Sequence, residues 1–146
     1  MDSMSFTQFL FSFEGRISRS AYWLKFNLPV LAIYIVLSVL LSMVGPATDA
    51  YGMPIEQPGP LFTVVTVIFL VFALAILWPS LAVAAKRWHD RDKSGWWTLI
   101  TFVPIIGGLW MLIECGFLKG TDGPNRFGSD PLQSGGGYQA AMEPQV

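Results

Sequence analysis

The stretch LFTVVTVIFLVFALAILWPSLAVAA, residues 61–85, carries no charged side chain. At about 1.5 Å of rise per residue, a helix of this length exceeds the roughly 30 Å of a bilayer's hydrocarbon core. Two further apolar runs flank it, at residues 26–44 (with the helix drawn from about residue 24) and 96–113, the latter extending to residue 118 past Glu114. Within lipid every backbone N–H and C=O must find a partner inside its own segment, so such runs must be helical. The expected fold is an all-α integral membrane protein with three hydrophobic helical segments, at about 24–44, 61–85 and 96–118. The third is kinked or re-entrant at Pro104, Gly107 and Gly108.

Composition agrees: 53% of the 146 residues are hydrophobic and 13% are charged. The formal net charge of -1 supplies no basic field and so predicts no nucleic-acid partner. Cys115 is the single cysteine, which rules out an internal disulfide and any paired-cysteine metal motif. The first apolar run begins too far into the chain, and runs too long, for a secretory leader. The GPATDAYG that follows it offers no clean small-residue cleavage site, so it reads as a retained helix.

The loop at residues 45–60 contains Asp49 and Glu56 but no Lys or Arg. Arg16, Arg19 and Lys25 precede the first run, and Lys86, Arg87, Arg91 and Lys93 follow the second. The bias of cations toward the cytoplasm then places the N-terminus and the loop after residue 85 inside the cell. Ahead of the first run, Phe6, Phe9, Leu10 and Phe13 share a helical face, Ser5 and Gln8 have capping-box spacing, and Gly15 suits a helix end. This predicts an amphipathic helix either lying in the headgroup plane or packed on the other helices. Residues 132–146, rich in Gly, Gln, Ser and Pro, are expected to be a disordered tail on a single membrane domain, residues 1–131.

The polar stretch KRWHDRDKSGWW, residues 86–97, concentrates four cations, two carboxylates and the only histidine. Acid–base or metal chemistry needs groups converging from separate places. Here His89 has only Asp90 and Asp92, both from its own short stretch of chain, and the adjacent Asp90 does not face it on a helix. No nucleotide, hydrolase or metalloprotease motif occurs, so no catalytic, cofactor-binding or metal-ligating residue is assigned and no enzyme is expected. Two readings remain. One is a topology signal with local ion pairs, Arg87 with Asp90 at i, i+3 and Ser94 capping the third helix. The other is a headgroup contact, weakened by the two carboxylates. Trp23, Trp88, Trp96 and Trp97 are the expected interfacial anchors.

Three segments in this order, FEGRISRSAYW (13–23), KRWHDRDKSGWW (86–97) and KGTDGPNRFGSDP (119–131), closely resemble the small bacterial inner-membrane family catalogued as domain of unknown function 805. The first family motif is matched by Phe13, Gly15, Arg16, Ser18, Arg19, Tyr22 and Trp23. The second is met by Arg87, His89, Asp90, Ser94, Gly95, Trp96 and Trp97, and the third by Gly120, Thr121, Gly123, Asn125, Arg126, Phe127, Gly128, Asp130 and Pro131. Lys86 stands where Arg is common, and Ala21 where a charged residue is common. The resemblance implies a multi-pass inner-membrane protein and no assigned activity.

The expectation is thus a non-enzymatic, membrane-organising or partner-binding protein with a cytoplasmic polar cap or headgroup contact made by Arg16, Arg19, Arg87, His89, Asp90, Asn125, Arg126 and Asp130. Its partners are membrane lipids, with a homo-oligomer or another membrane protein possible. The alternative is an oligomeric component binding or transporting a small solute or lipid headgroup. A common anion held by Arg16, Arg87 and Arg126 would distinguish it. The side of the tail follows from the third run. A plain span leaves Lys119 and Arg126 outside, whereas a hairpin returns them to the cytoplasm, which charge bias favours. The plain span needs fewer assumptions, because a re-entrant turn must be shielded.

Overall fold

In the computed structural model, which describes residues 4–132, helix α3 runs unbroken over Pro60–Asp90, continuing the apolar run into the polar motif. Its character changes along its length. The first part is studded with exposed Val64, Val67, Leu70, Val71 and Leu74, whereas Ala82 to Trp88 are all buried. Small side chains at 82, 84 and 85 let neighbouring backbone approach closely, so the same helix leaves the lipid-like exposure of its start and becomes a core element. Helix α2 occupies Leu28–Val44 and follows a π-helical stretch, Ala21–Asn27. Among the described residues, Ala21–Val44 and Pro60–Asp90 are the two helices long and apolar enough to cross a membrane. Among the described residues the structure is helical with no strand, and only isolated bridges join Thr48 to Pro54 and Asn125 to Gly128.

The chain divides into two compact units, Asn27–Leu77 and the remainder, Met1–Phe26 with Trp78–Val146. In the first, Tyr34 meets Phe69 and Phe72 edge-on at 5.7 and 5.2 Å. The loop between α2 and α3 is closed by the Asp49 carboxylate, which accepts the N–H groups of Tyr51 and Met53. Gly52, at φ +79°, supplies the left-handed turn that this closure needs.

The second unit holds the polar motifs. Helix α1, Phe6–Phe11, begins with the expected capping box, Ser5 receiving the Gln8 N–H and Gln8 returning to the Ser5 N–H. It is shorter than the phenylalanine spacing suggests: Ser12 ends it, Phe13 lies beyond it, Phe9 is buried, and Phe6 is exposed. The four residues therefore do not form one stripe. The helix stops where Ser12 turns extended, at φ -85° and ψ 141°, and the Ser12 carbonyl is taken by Lys86.

The third apolar run is not one helix. A 3₁₀ helix at Gly95–Phe102 leads through a turn to α4, Ile106–Met111, and then a π-helical stretch, Leu112–Phe117. Ser94 caps the start by accepting the Trp96 N–H. The two arms pack on each other. A Cβ built on Gly107 would lie 1.8 Å from the Ile100 carbonyl oxygen, so only glycine allows the approach; Gly108 faces open space. Pro104 removes a donor at the bend, and Ile105 takes φ +65°. Four N–H groups around the turn are used locally: Val103 donates to Ile100, Ile106 to Pro104, Gly107 to Val103 and Leu109 to Ile105. Of the tail expected over residues 132–146, residues 133–146 lie outside the described residues.

Candidate functional site: a cap of interlocked helix ends

Every helix leaves four C=O groups at its C-terminus without intrahelical partners, and cations are favoured there. In this protein the polar motifs meet that need for one another. The third run ends at the carbonyls of Cys115, Gly116, Phe117 and Leu118. Arg87 Nε donates to the first at 2.7 Å, Trp23 Nε1 to the second at 3.1 Å, Arg19 to the third at 2.8 Å, and Arg87 Nη2 to the fourth. At the end of helix α1 the Lys86 ammonium donates to the Ser12 carbonyl and to that of Gln8, which also accepts the Ser12 N–H. Helix α3 ends at His89 and Asp90. Asn125 Nδ2 donates to the His89 carbonyl at 2.8 Å, and the N–H and hydroxyl of Thr121 donate to the Asp90 carbonyl at 2.8 and 3.1 Å.

Asp90 is the electrostatic centre. Its carboxylate accepts Arg16 Nε at 3.1 Å and also Arg87 Nη1, the expected i, i+3 pair, and it is 4% exposed. Two guanidinium groups on one buried carboxylate satisfy the requirement that buried charge be paired and hydrogen-bonded. Arg16 spends its remaining donors on the carbonyls of Gly123, Gly128 and Thr121 and on the Thr121 hydroxyl. One side chain from the first motif therefore ties the second to the third. Gly120 lies so close that a Cβ there would stand 1.9 Å from Asp90 Oδ2.

Asp130 shapes the third motif, its carboxylate receiving the N–H groups of Leu132 and Gly123 at 2.9 and 3.0 Å. The Leu132 bond first, then the Gly123 bond and the charge of Arg16, hold its pKa below the ordinary carboxylate value against a smaller opposing effect of burial. His89 stacks flat on Phe127, centroids 3.9 Å apart, and its Nδ1 meets the Gly15 carbonyl at 3.2 Å. Arg126 is exposed, pairs with Asp92 at 3.2 Å and lies over Phe127. Glu114 is gripped by Arg91 and Lys93 at 3.0 and 2.8 Å. The start and end of the third run are thereby held beside the same few residues.

Of the eight cap residues named from sequence, Arg16, Arg87, Asp90, Asn125 and Asp130 join one connected network, with Arg19 at its edge on Phe117 and His89 stacked beside it. Arg126 stands apart with Asp92. Arg16, Arg87 and Arg126 do not converge on one open place, because the first two are buried with their donors engaged. Trp88, expected at the interface, is instead fully buried and rests beside Trp97 at 6.1 Å; the small-residue end of α3 brings it inside. Trp96 and Trp97 are exposed and Trp23 is half-buried. Sequence reasoning missed Lys86, Thr121 and Gly120 as cap residues, although all three stand within the quoted motifs. It also missed that the main partners are carbonyls, which no side-chain pattern announces.

The family described as "Protein of unknown function (DUF805)" matches residues 10–129, a stretch that contains nearly all of this network. The chain belongs to that family. Similar members from Escherichia coli (strain K12) are the inner membrane protein YhaI, 34% identical over 120 residues, covering 82% of this chain and 85% of that relative, and the inner membrane protein YhaH, 34% identical over 119 residues, covering 82% and 86%. The uncharacterized protein YiiR of the same strain is 31% identical over 151 residues, covering 87% and 90%. No solved structure matches the chain. The chain is therefore a bacterial inner-membrane family member with two helices able to cross the bilayer and a shorter apolar helix, Ile106–Phe117.

Proposed function

We propose that this DUF805 protein is a non-enzymatic inner-membrane protein that organises its membrane surroundings or binds a partner, built as one membrane domain over residues 1–131 with its polar cap and N-terminus in the cytoplasm. The observation that carries the reading is the fate of the polar groups. Arg16, Arg87 and Asp90 are spent on one another and on helix-end carbonyls, so the motifs that invite a catalytic or anion-binding interpretation serve to lock helix ends together. The third run is a re-entrant hairpin in this reading. Its arms reach about 16 Å as eight residues of 3₁₀ helix and at most about 18 Å as six residues of α-helix followed by six of π-helix, roughly half the hydrocarbon thickness. Its turn supplies several of its own hydrogen bonds, as lipid demands of non-helical backbone. The exposed tip residues Phe102, Ile105 and Ile106 offer an apolar surface to lipid or to a second copy.

Native mass spectrometry of the detergent-purified protein tests the functional reading. A homo-oligomer or a complex with another membrane protein, persisting after lipid is stripped, is the expected result. A monomer that retains one anionic lipid and loses it on Arg126→Gln would replace this reading with headgroup binding.

A further inference from the structure

A groove of about 430 Å³ opens beside the cap, lined by Phe13, Leu81, Ala85, Trp96 and Leu99 together with His89, Ser94, Gly95 and Thr98. Its walls are apolar and its polar groups few, the composition of a site that seats an apolar body and orients it by one or two hydrogen bonds. Three observations define what the polar end wants. The Gly15 carbonyl can only accept, so His89 Nδ1 carries the hydrogen in that 3.2 Å contact, and Nε2 of the neutral ring is left as an acceptor. The ring plane is fixed by its stack on Phe127. No hydrogen-bond partner for Nε2 is found among the described residues, and Gly95 keeps that edge uncovered, since a Cβ there would come within 3.1 Å of Nε2 and 2.9 Å of the Ala85 Cβ. Independently, Thr98 is 6% exposed and its hydroxyl has no partner among the described residues, an arrangement that buried polar groups rarely keep.

We propose that this groove holds a neutral membrane lipid bearing a free hydroxyl, with the lipid O–H donating to His89 Nε2 and its chain lying along Leu81, Ala85 and Leu99. An acceptor nitrogen distinguishes an alcohol from the ether or ester of the same chain, and a site that hydrogen-bonds a hydroxyl discriminates strongly against an analogue lacking it. Lipid is the occupant favoured here because Trp78 and Trp96, the exposed tryptophans near the groove, suit the membrane interface and because the required group is uncharged. The proposal rests on the chain's being membrane-embedded, but not on the side of its tail. Diacylglycerols and polyisoprenols share this chemistry.

The test is photolabelling of the full chain in phosphatidylcholine nanodiscs with a 16-carbon alcohol carrying a mid-chain diazirine, set against its O-methyl ether. The alcohol should label residues 81–99 at least tenfold more than the ether. The excess should be displaced by 1,2-dioleoylglycerol or by undecaprenol, whichever succeeds naming the source. His89→Leu should reduce alcohol labelling to the ether level. Equal labelling by the two wild-type probes, or an excess that neither competitor displaces, overturns the proposal even if the variant does not fold. Probe labelling along residues 28–77 without an excess in the groove refutes the groove alone; no labelling of those faces refutes membrane embedding itself.

Discussion

At the scale of single residues, Asp90 holds the most consequential position, because two buried guanidinium groups share its carboxylate. Asp90→Asn leaves both cations facing a neutral amide. Breaking a buried pair in this way costs about 3–5 kcal/mol, so thermal unfolding in detergent should show a large drop in midpoint or failure to accumulate. A milder outcome is expected at His89. Gln can still donate to the Gly15 carbonyl, so His89→Gln should accumulate at wild-type levels and lose about 1 kcal/mol or less; loss of a cellular phenotype at normal protein level would argue for a role of the imidazole beyond structure, in proton chemistry or in the groove. Asp130 gives a pH signature. Its folded pKa lies below the ordinary value of about 3.9, so its contribution is complete above that value and disappears as pH falls through the lower, folded one. The stability gap between wild type and Asp130→Asn should therefore be full at pH 7 and shrink progressively below about pH 4, as followed by unfolding midpoints.

At the scale of elements, the second arm of the third run carries two adjacent glycines with opposite surroundings. Gly107 touches the backbone of the facing arm and Gly108 touches nothing. Gly107→Leu must push the arms apart and should cost about 3 kcal/mol, the upper end of what overpacking commonly costs. Gly108→Leu should be tolerated within about 1 kcal/mol, and comparable losses from the two variants would mean the arms do not meet. The same packing explains why the run is assembled from a 3₁₀ helix, a six-residue α-helix and a π-helical stretch. Unusual helix pitch lets Gly107 reach Ile100 at one end and lets Glu114 reach Arg91 and Lys93 at the other.

At the scale of the whole molecule, a re-entrant third run would place nine Lys and Arg residues on the cytoplasmic side, whereas a plain span would leave Lys119 and Arg126 outside. A cysteine introduced among residues 133–139 of a Cys115→Ser chain separates these arrangements. Intact spheroplasts treated with a membrane-impermeant maleimide should leave it unlabelled and label it only after permeabilisation. Labelling before permeabilisation would put the tail in the periplasm and abolish the hairpin reading. Removing Cys115 Sγ should be mild for the cap, since Arg87 uses the Cys115 carbonyl and not its sulfur.

The sequence alone determined the membrane character, because an uncharged run such as residues 61–85 has no other economical solvent, and that is a property of composition and length. It also determined local contacts whose partners lie within one turn: the Ser5–Gln8 capping box, the Arg87–Asp90 pair and the Ser94 cap. It marked the three polar motifs. Only the tertiary structure decided what those motifs do. Arg16 reaches Asp90 across 74 positions and Thr121 across 105, and Arg19 and Trp23 reach carbonyls that every residue possesses alike. Trp88 became core, not anchor, for the same reason: burial depends on which backbone returns to cover a helix end. Periodicity records how a segment meets solvent or lipid, and it holds no record of which distant carbonyl will be left needing a donor.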